Sequence, residues 1–220
     1  LKYENLTDLI AKYPNVNGNS ELTKLWEGYA ELGMLCVISA GNEGEKRDFS
    51  TITIPGDAFN VITVGSFNDN GDTNRGNDGI SYFSSRGYTG DGRTKPDVSA
   101  PGSSIMSTNY NWETENDFID YSGTSMAAPH VAGLAALILA RWNDLYGEKL
   151  TTVGDYGGAR TVRAIIYNSA DGTTGENSGT ASDRYNGAGY VDALQAMNQC
   201  NKDYVKTFTL NSSNPQQYYS

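Results

Sequence analysis

One stretch brings together residue types that chemistry needs at a spacing it can use: Gly123-Thr124-Ser125-Met126-Ala127-Ala128-Pro129-His130-Val131-Ala132-Gly133. A small, turn-capable residue leads into a hydroxyl pair, and an apolar helical run follows. Such a pattern sets a serine at the start of a helix, where backbone N–H groups have no intrahelical acceptor and the macrodipole is positive. A nucleophile that passes charge to a neighbouring oxyanion gains from that position. Ser and Thr also serve as plain helix caps, and the stretch alone leaves both readings open. His130 is the single histidine of the chain. Five residues past Ser125 on an ideal helix is about 7.5 Å along the axis and roughly 140° around it. A general base must come within about 2.6–3.2 Å of the proton it takes, so His130 is expected to have a structural place near the helix start.

Two further stretches carry polar groups. Gly41-Asn42-Glu43-Gly44 follows the apolar run 34–39. Loops at the carboxyl ends of parallel strands are where ligands sit, but taken alone the stretch reads as a turn. Residues 69–79 are rich in Asp, Asn and Gly. They could hold Ca²⁺ through carboxylates and carbonyls, yet the full EF-hand pattern is missing and a solvated loop is expected. The Gly-rich turn at 87–95 lacks the Gly-Lys-Ser/Thr that a phosphate loop requires.

The elements that must position these groups can be traced in order. Residues 1–20 are helical in part, through Leu6, Leu9 and Ile10, and break at Pro14 and the Asn/Gly-rich segment 15–19. Residues 20–32 predict a helix capped by Ser20, with Leu22, Leu25, Trp26, Tyr29 and Leu32 on one face and Gly33 ending it. Residues 34–39 and 61–65 predict strands buried on both faces. Residues 103–122 alternate enough to allow strands or a hairpin. The run 131–142 predicts a core helix, apolar all round. Residues 159–169 and 191–198 predict two more helices, 206–210 a strand, and 211–220 a polar tail. Helices alternating with buried strands predict an α/β fold with a parallel sheet.

The bulk numbers bound the function. At 220 residues, 38% hydrophobic, the chain can bury one sizeable core. Its formal charge of −10 argues against nucleic-acid binding, which relies on Lys and Arg neutralising phosphates. Cys36 and Cys200 form neither a disulfide framework nor zinc spacing. No run reaches the ~20 apolar residues of a membrane span, and no signal peptide is visible. The chain begins at Leu1 rather than Met.

Three segments appear in a telling order: Ala40-Gly41-Asn42-Glu43-Gly44, Lys95-Pro96-Asp97-Val98-Ser99-Ala100-Pro101-Gly102, and the Ser125 stretch. Phe83-Ser84-Ser85-Arg86-Gly87 and Asn186-Gly187-Ala188-Gly189-Tyr190-Val191-Asp192-Ala193 accompany them. Together they resemble the subtilisin-like serine proteases (subtilases) over roughly residues 20–200. The resemblance implies a three-layer α/β fold, a mostly parallel sheet with helices on both faces, incomplete at its N-terminal half. Residues 1–200 would be the carboxy-terminal portion of the catalytic domain, and 201–220 a linker or the start of a following β-domain.

By the same resemblance, Ser125 is the nucleophile of a serine endopeptidase and forms the acyl-enzyme. Asn42 donates its carboxamide to the oxyanion, the Ser125 N–H is the second donor, and Thr124 assists. Ser39, Ala40 and Gly41 wall the pocket for the substrate side chain. The family's catalytic order is Asp, His, Ser, and no such Asp or His can be assigned here. The chain alone is therefore expected to be inactive, because a hydroxyl without a base is a poor nucleophile at neutral pH. The alternative is a pseudoprotease or split-protease subunit acting as a binding module. Expected partners are a peptide or protein substrate, the missing N-terminal half, and a second copy through an exposed sheet edge, with neither nucleic acid nor membrane among them. No cofactor is certain, calcium stays open, and family habit implies secretion to the extracellular space.

Overall fold

The computed structural model describes residues 16–46, 50–111, 113, 117–147, 149–150, 157–172 and 184–203. The sequence expectations at 1–14, 206–210 and 211–220 lie outside them. In chain order the elements are α1 (Glu21–Glu31), β1 (Val37–Ser39), β2 (Ile62–Asn68), β3 (Gly79–Ile80), β4 (Gly87–Tyr88), β5 (Thr94–Lys95), β6 (Val98–Pro101), β7 (Ile105–Thr108), β8 (Phe118–Tyr121), α2 (Thr124–Tyr146), α3 (Gly157–Ser169) and α4 (Ala193–Asn198).

The central strand is β2. On one side β1 runs parallel to it, with Val37 opposite Ile62 and Ser39 opposite Val64. On the other side β6 runs parallel, with Val64 opposite Val98 and Phe67 opposite Pro101. The short β3 pairs antiparallel with the end of β2, and β4–β5 and β7–β8 are antiparallel ribbons. The ribbon β7–β8 is the hairpin allowed at 103–122.

Period-two alternation assigns each strand residue to one of two cores. On one face Ile62, Val64, Val98 and Ala100 pack against Ala127, Val131, Leu134, Ala135 and Ile138 of α2, together with Val162, Ile165 and Ile166 of α3 and Ala196 of α4. On the other face Cys36 and Ile38 pack with Ala30 of α1, Ala58 and Val61. Val37, between those two residues, joins the first core. The result is the expected three-layer α/β arrangement. Each fully buried aliphatic side chain contributes about 1.5–3 kcal/mol.

Three expectations need correcting. Of the face assigned to α1, Leu22, Leu25, Tyr29 and Leu32 are exposed, whereas Thr23 and Ala30 are buried. Polar anchoring decides the orientation: Ser20 Oγ accepts from Thr23 N, and Thr23 Oγ1 donates to the buried Asp57 carboxylate at 2.7 Å. The strand expected at 34–39 is shorter and only half enclosed, because Met34 is exposed and β1 pairs with β2 alone among the described residues. The helix α2 is apolar all round but buries one stripe, leaving Leu137 and Leu145 exposed. By length and composition α2 could cross a membrane; its stripe from Ala127 to Trp142 against the sheet is that of a core helix. Gly147 ends α2 in the left-handed conformation, its N–H donating to the Asn143 carbonyl at 2.8 Å.

Candidate active site

The exit of β1 and the start of α2 meet at the end of the sheet. Ala40 is fully buried. Its N–H donates to the Val64 carbonyl at 2.9 Å, and its own carbonyl accepts from Thr53 N at 3.0 Å. Gly41 follows at φ +107°, where a Cβ would lie 2.7 Å from the Thr53 side chain and 2.9 Å from Ser85 Oγ. Backbone strain and lack of space both require glycine there. Ser39 and Gly41, on either side of the buried Ala40, are half-buried.

Asn42 is fixed by α2. Its Oδ1 accepts from Thr124 N and from Thr124 Oγ1, both at 3.0 Å, and Thr124 Oγ1 in turn accepts from Gly41 N at 3.2 Å. The carboxamide oxygen is therefore committed, which leaves the Nδ2 donors to face the other way. A Cβ placed on Gly123 would lie 3.3 Å from Asn42 Nδ2 and 3.7 Å from Ser125 N. Asn42 Nδ2 and Ser125 N thus both lie close to the Gly123 α-carbon, where a side chain would crowd the amide.

The helix start has no side-chain cap: its N-cap residue is Gly123. Neither Thr124 nor Ser125 plays the capping part that the sequence left open, since Asn42 satisfies the Thr124 N–H from another element. The Gly123 carbonyl accepts from Met126 N at 2.9 Å. The Ser125 N–H, at the second helical position, has no helical acceptor, and the Ser125 side chain is exposed. Pro129 has no N–H, so the Ser125 carbonyl also lacks its i+4 partner.

His130 is exposed, and its Nδ1–H donates to the Met126 carbonyl at 2.8 Å. One ring nitrogen is therefore tied to the backbone of its own helix, one turn back. Of the residues singled out from the sequence, the structure brings Asn42 and Thr124 into contact, sets Ser125 next to Thr124 at the helix start, and turns His130 to Met126 O. Sequence reasoning missed Gly102, whose carbonyl accepts from Gly123 N at 2.7 Å and whose missing Cβ would lie 2.8 Å from the Gly123 carbonyl. The Ala-Pro-Gly run was the only signal for it.

Below the site, Lys95 and Asp97 form a buried pair at 2.7 Å. Lys95 Nζ also donates to Thr63 Oγ1 at 2.9 Å, Thr63 N donates to Asp97 Oδ2 at 2.7 Å, and Arg163 Nη2 of α3 stands 3.7 Å from Asp97 Oδ1. Burial pushes the Lys95 amine below its ordinary value, and Asp97 opposes that shift. The loop 69–79 turns its carboxylates inward: Asp72 accepts from Asn74 N at 2.7 Å and from Asn77 Nδ2 at 2.9 Å, and Asp69 accepts from Gly71 N at 3.1 Å. Among the described residues no group of three or more His, Cys, Asp or Glu side chains is set to hold a metal ion.

Comparison with known proteins shows the family. A family model described as the subtilase family, Peptidase S8, matches residues 11–189. Serine protease AprX of Bacillus subtilis (strain 168) is 41% identical over 132 residues, which is 54% of this chain and 28% of that protein. Subtilisin DY of Bacillus licheniformis is 36% identical over 134 residues, 61% of this chain and 43% of that protein. Among solved structures, a lanthipeptide protease superposes with a TM-score of 0.61 at 24% identity, covering 82% of this chain and 55% of that one. The chain spans less than half the length of these curated relatives.

Proposed function

Since the chain belongs to the subtilase family, we propose that it carries the nucleophile and the oxyanion donors of a serine endopeptidase. Ser125 Oγ attacks the scissile carbonyl, and the oxygen that becomes negative lies between Asn42 Nδ2 and Ser125 N–H. The observation that supports this reading is the closeness of both Asn42 Nδ2 and Ser125 N to Gly123, with the Asn42 oxygen already taken by Thr124. As the C–N bond breaks, the serine proton passes through a base to the leaving amine, and water then hydrolyses the Ser125 acyl ester. Thr124 assists by holding the Asn42 amide in its donating orientation. The backbone of Ser39, Ala40 and Gly41 walls one side of the substrate pocket.

The base and its carboxylate partner are a His and an Asp outside these 220 residues, because the one histidine stands five residues past Ser125 on the same helix, out of reach of its hydroxyl. Alone, the chain is close to inactive. Its substrates are peptides or proteins. One of its relatives is named an alkaline extracellular protease, from Yarrowia lipolytica, which supports secretion here as well.

Co-refolding tests the reading. The chain is mixed with the Asp- and His-bearing segment that the family order places ahead of the serine, taken from AprX, and hydrolysis of a peptide anilide is followed. The expected result is turnover that Ser125→Ala abolishes. Turnover that survives Ser125→Ala, or none from a complex shown to form, contradicts it.

A further inference from the structure

Three hydroxyls form a chain behind the site. Ser66 Oγ on β2 lies 2.8 Å from Ser81 Oγ, and Ser81 Oγ lies 2.7 Å from Ser103 Oγ. Ser66 is fully buried and Ser81 nearly so, at 0% and 3% exposure, whereas Ser103 is half-buried. Burial sets the direction of the chain. A buried hydroxyl hydrogen must find an acceptor, so Ser66 donates to Ser81, Ser81 donates to Ser103, and Ser103 turns its hydrogen towards solvent. Backbone bonds brace both inner members: Ser66 N donates to Ser84 Oγ at 2.9 Å, and Ser81 N donates to the Ser66 carbonyl at 2.9 Å.

The ladder grips Gly102 from two sides. A Cβ on Gly102 would lie 2.4 Å from Ser66 Oγ, so that hydroxyl fills the space a side chain at 102 would need. Ser103, at the other end, is the next residue in the chain. Gly102 in turn holds Gly123, through its carbonyl and the Gly123 N–H at 2.7 Å. Asn42 Nδ2 and Ser125 N both lie close to Gly123.

We propose that Ser66, Ser81 and Ser103 are positioning residues that fix Gly102 and, through it, the Gly123–Ser125 donor geometry. This rests on the oxyanion reading above for its catalytic meaning, though not for its structural content. The half-buried Ser103 is the controlling end. Without its hydroxyl, Ser81 must either lose its acceptor or reverse towards Ser66, and either choice leaves a buried hydrogen unmatched.

Amide hydrogen exchange of the intact 220-residue chain tests it without needing turnover. In Ser103→Ala, the Gly123 amide is expected to exchange at least ~10-fold faster relative to the Val131 and Ile138 amides of the same helix, the equivalent of about 1.4 kcal/mol of local opening. Ser103→Thr, which keeps a hydroxyl, is expected to restore the wild-type rate, and Ser66→Ala to reproduce the effect from the buried end. A Gly123 rate that stays unchanged in both alanine variants, or that moves only in step with Val131 and Ile138, overturns the proposal. Because exchange is read without substrate, failure here leaves the role of Ser125 to its own test.

Discussion

Asn42 illustrates how much a single orientation can decide. Its oxygen is occupied by two donors from Thr124 at 3.0 Å, and that occupancy aims the nitrogen at the space by Gly123. Asn42→Asp keeps the acceptor and removes the donor. In a complex that turns over substrate, kcat is expected to fall at least ~100-fold while the urea midpoint changes little; that magnitude is the one known for subtilisin, itself a member of this family. Gly123→Ala is expected to do the same by filling the space, since its Cβ would lie 3.3 Å from Asn42 Nδ2. Unchanged kcat in both variants contradicts the assignment. Ser125 and Asn42 stand out through the resemblance that their short motifs carry, since the Asn42 stretch taken alone reads as a turn. The sequence did not reveal Gly102 or Ser66, because their part depends on which strands lie side by side, and β2 meets the residues around 81 and 102 only through long-range pairing.

At the scale of elements, Lys95 of β5 and Asp97, which precedes β6, tie β2 to α3 through Thr63 and Arg163. Lys95 is held below its ordinary value of 10.5, by burial first, against the pull of Asp97. Between the folded and unfolded values the unfolded chain binds more protons, so this group's contribution to stability rises with pH. Urea midpoints of the wild type relative to Lys95→Met are expected to increase as the pH is raised towards the ordinary lysine value of 10.5; a decrease on that approach contradicts the account. Element order was readable from the alternation of apolar runs and Gly stops, and α2 from its length. The buried side of α1 was not, because periodicity pointed to Leu22 and Leu25 while hydrogen bonds to Asp57 turned Thr23 inward. Local pattern lost to one buried polar anchor, which a hydrophobic count does not register.

For the whole molecule, the exposed apolar surface is the feature with consequences. Leu22, Leu25, Leu32 and Met34 are exposed around α1 and the approach to β1, Leu137 and Leu145 on α2, and Met106 and Phe118 on the β7–β8 ribbon. β1 also has a free edge among the described residues, and such edges invite pairing with another chain. The purified chain is expected to self-associate, with a sedimentation coefficient that rises with concentration; a monomer unchanged across the accessible range contradicts this. The chain covers 55% of the lanthipeptide protease whose fold it shares; the proposed function has Ser125 standing here without its base. The most direct test of that claim is labelling of Ser125 by a fluorophosphonate, with and without imidazole as an external base. The account predicts labelling that is slow without imidazole, accelerates with it, and maps to Ser125 alone. Fast stoichiometric labelling of the isolated chain, at the rate of an intact protease, would contradict it.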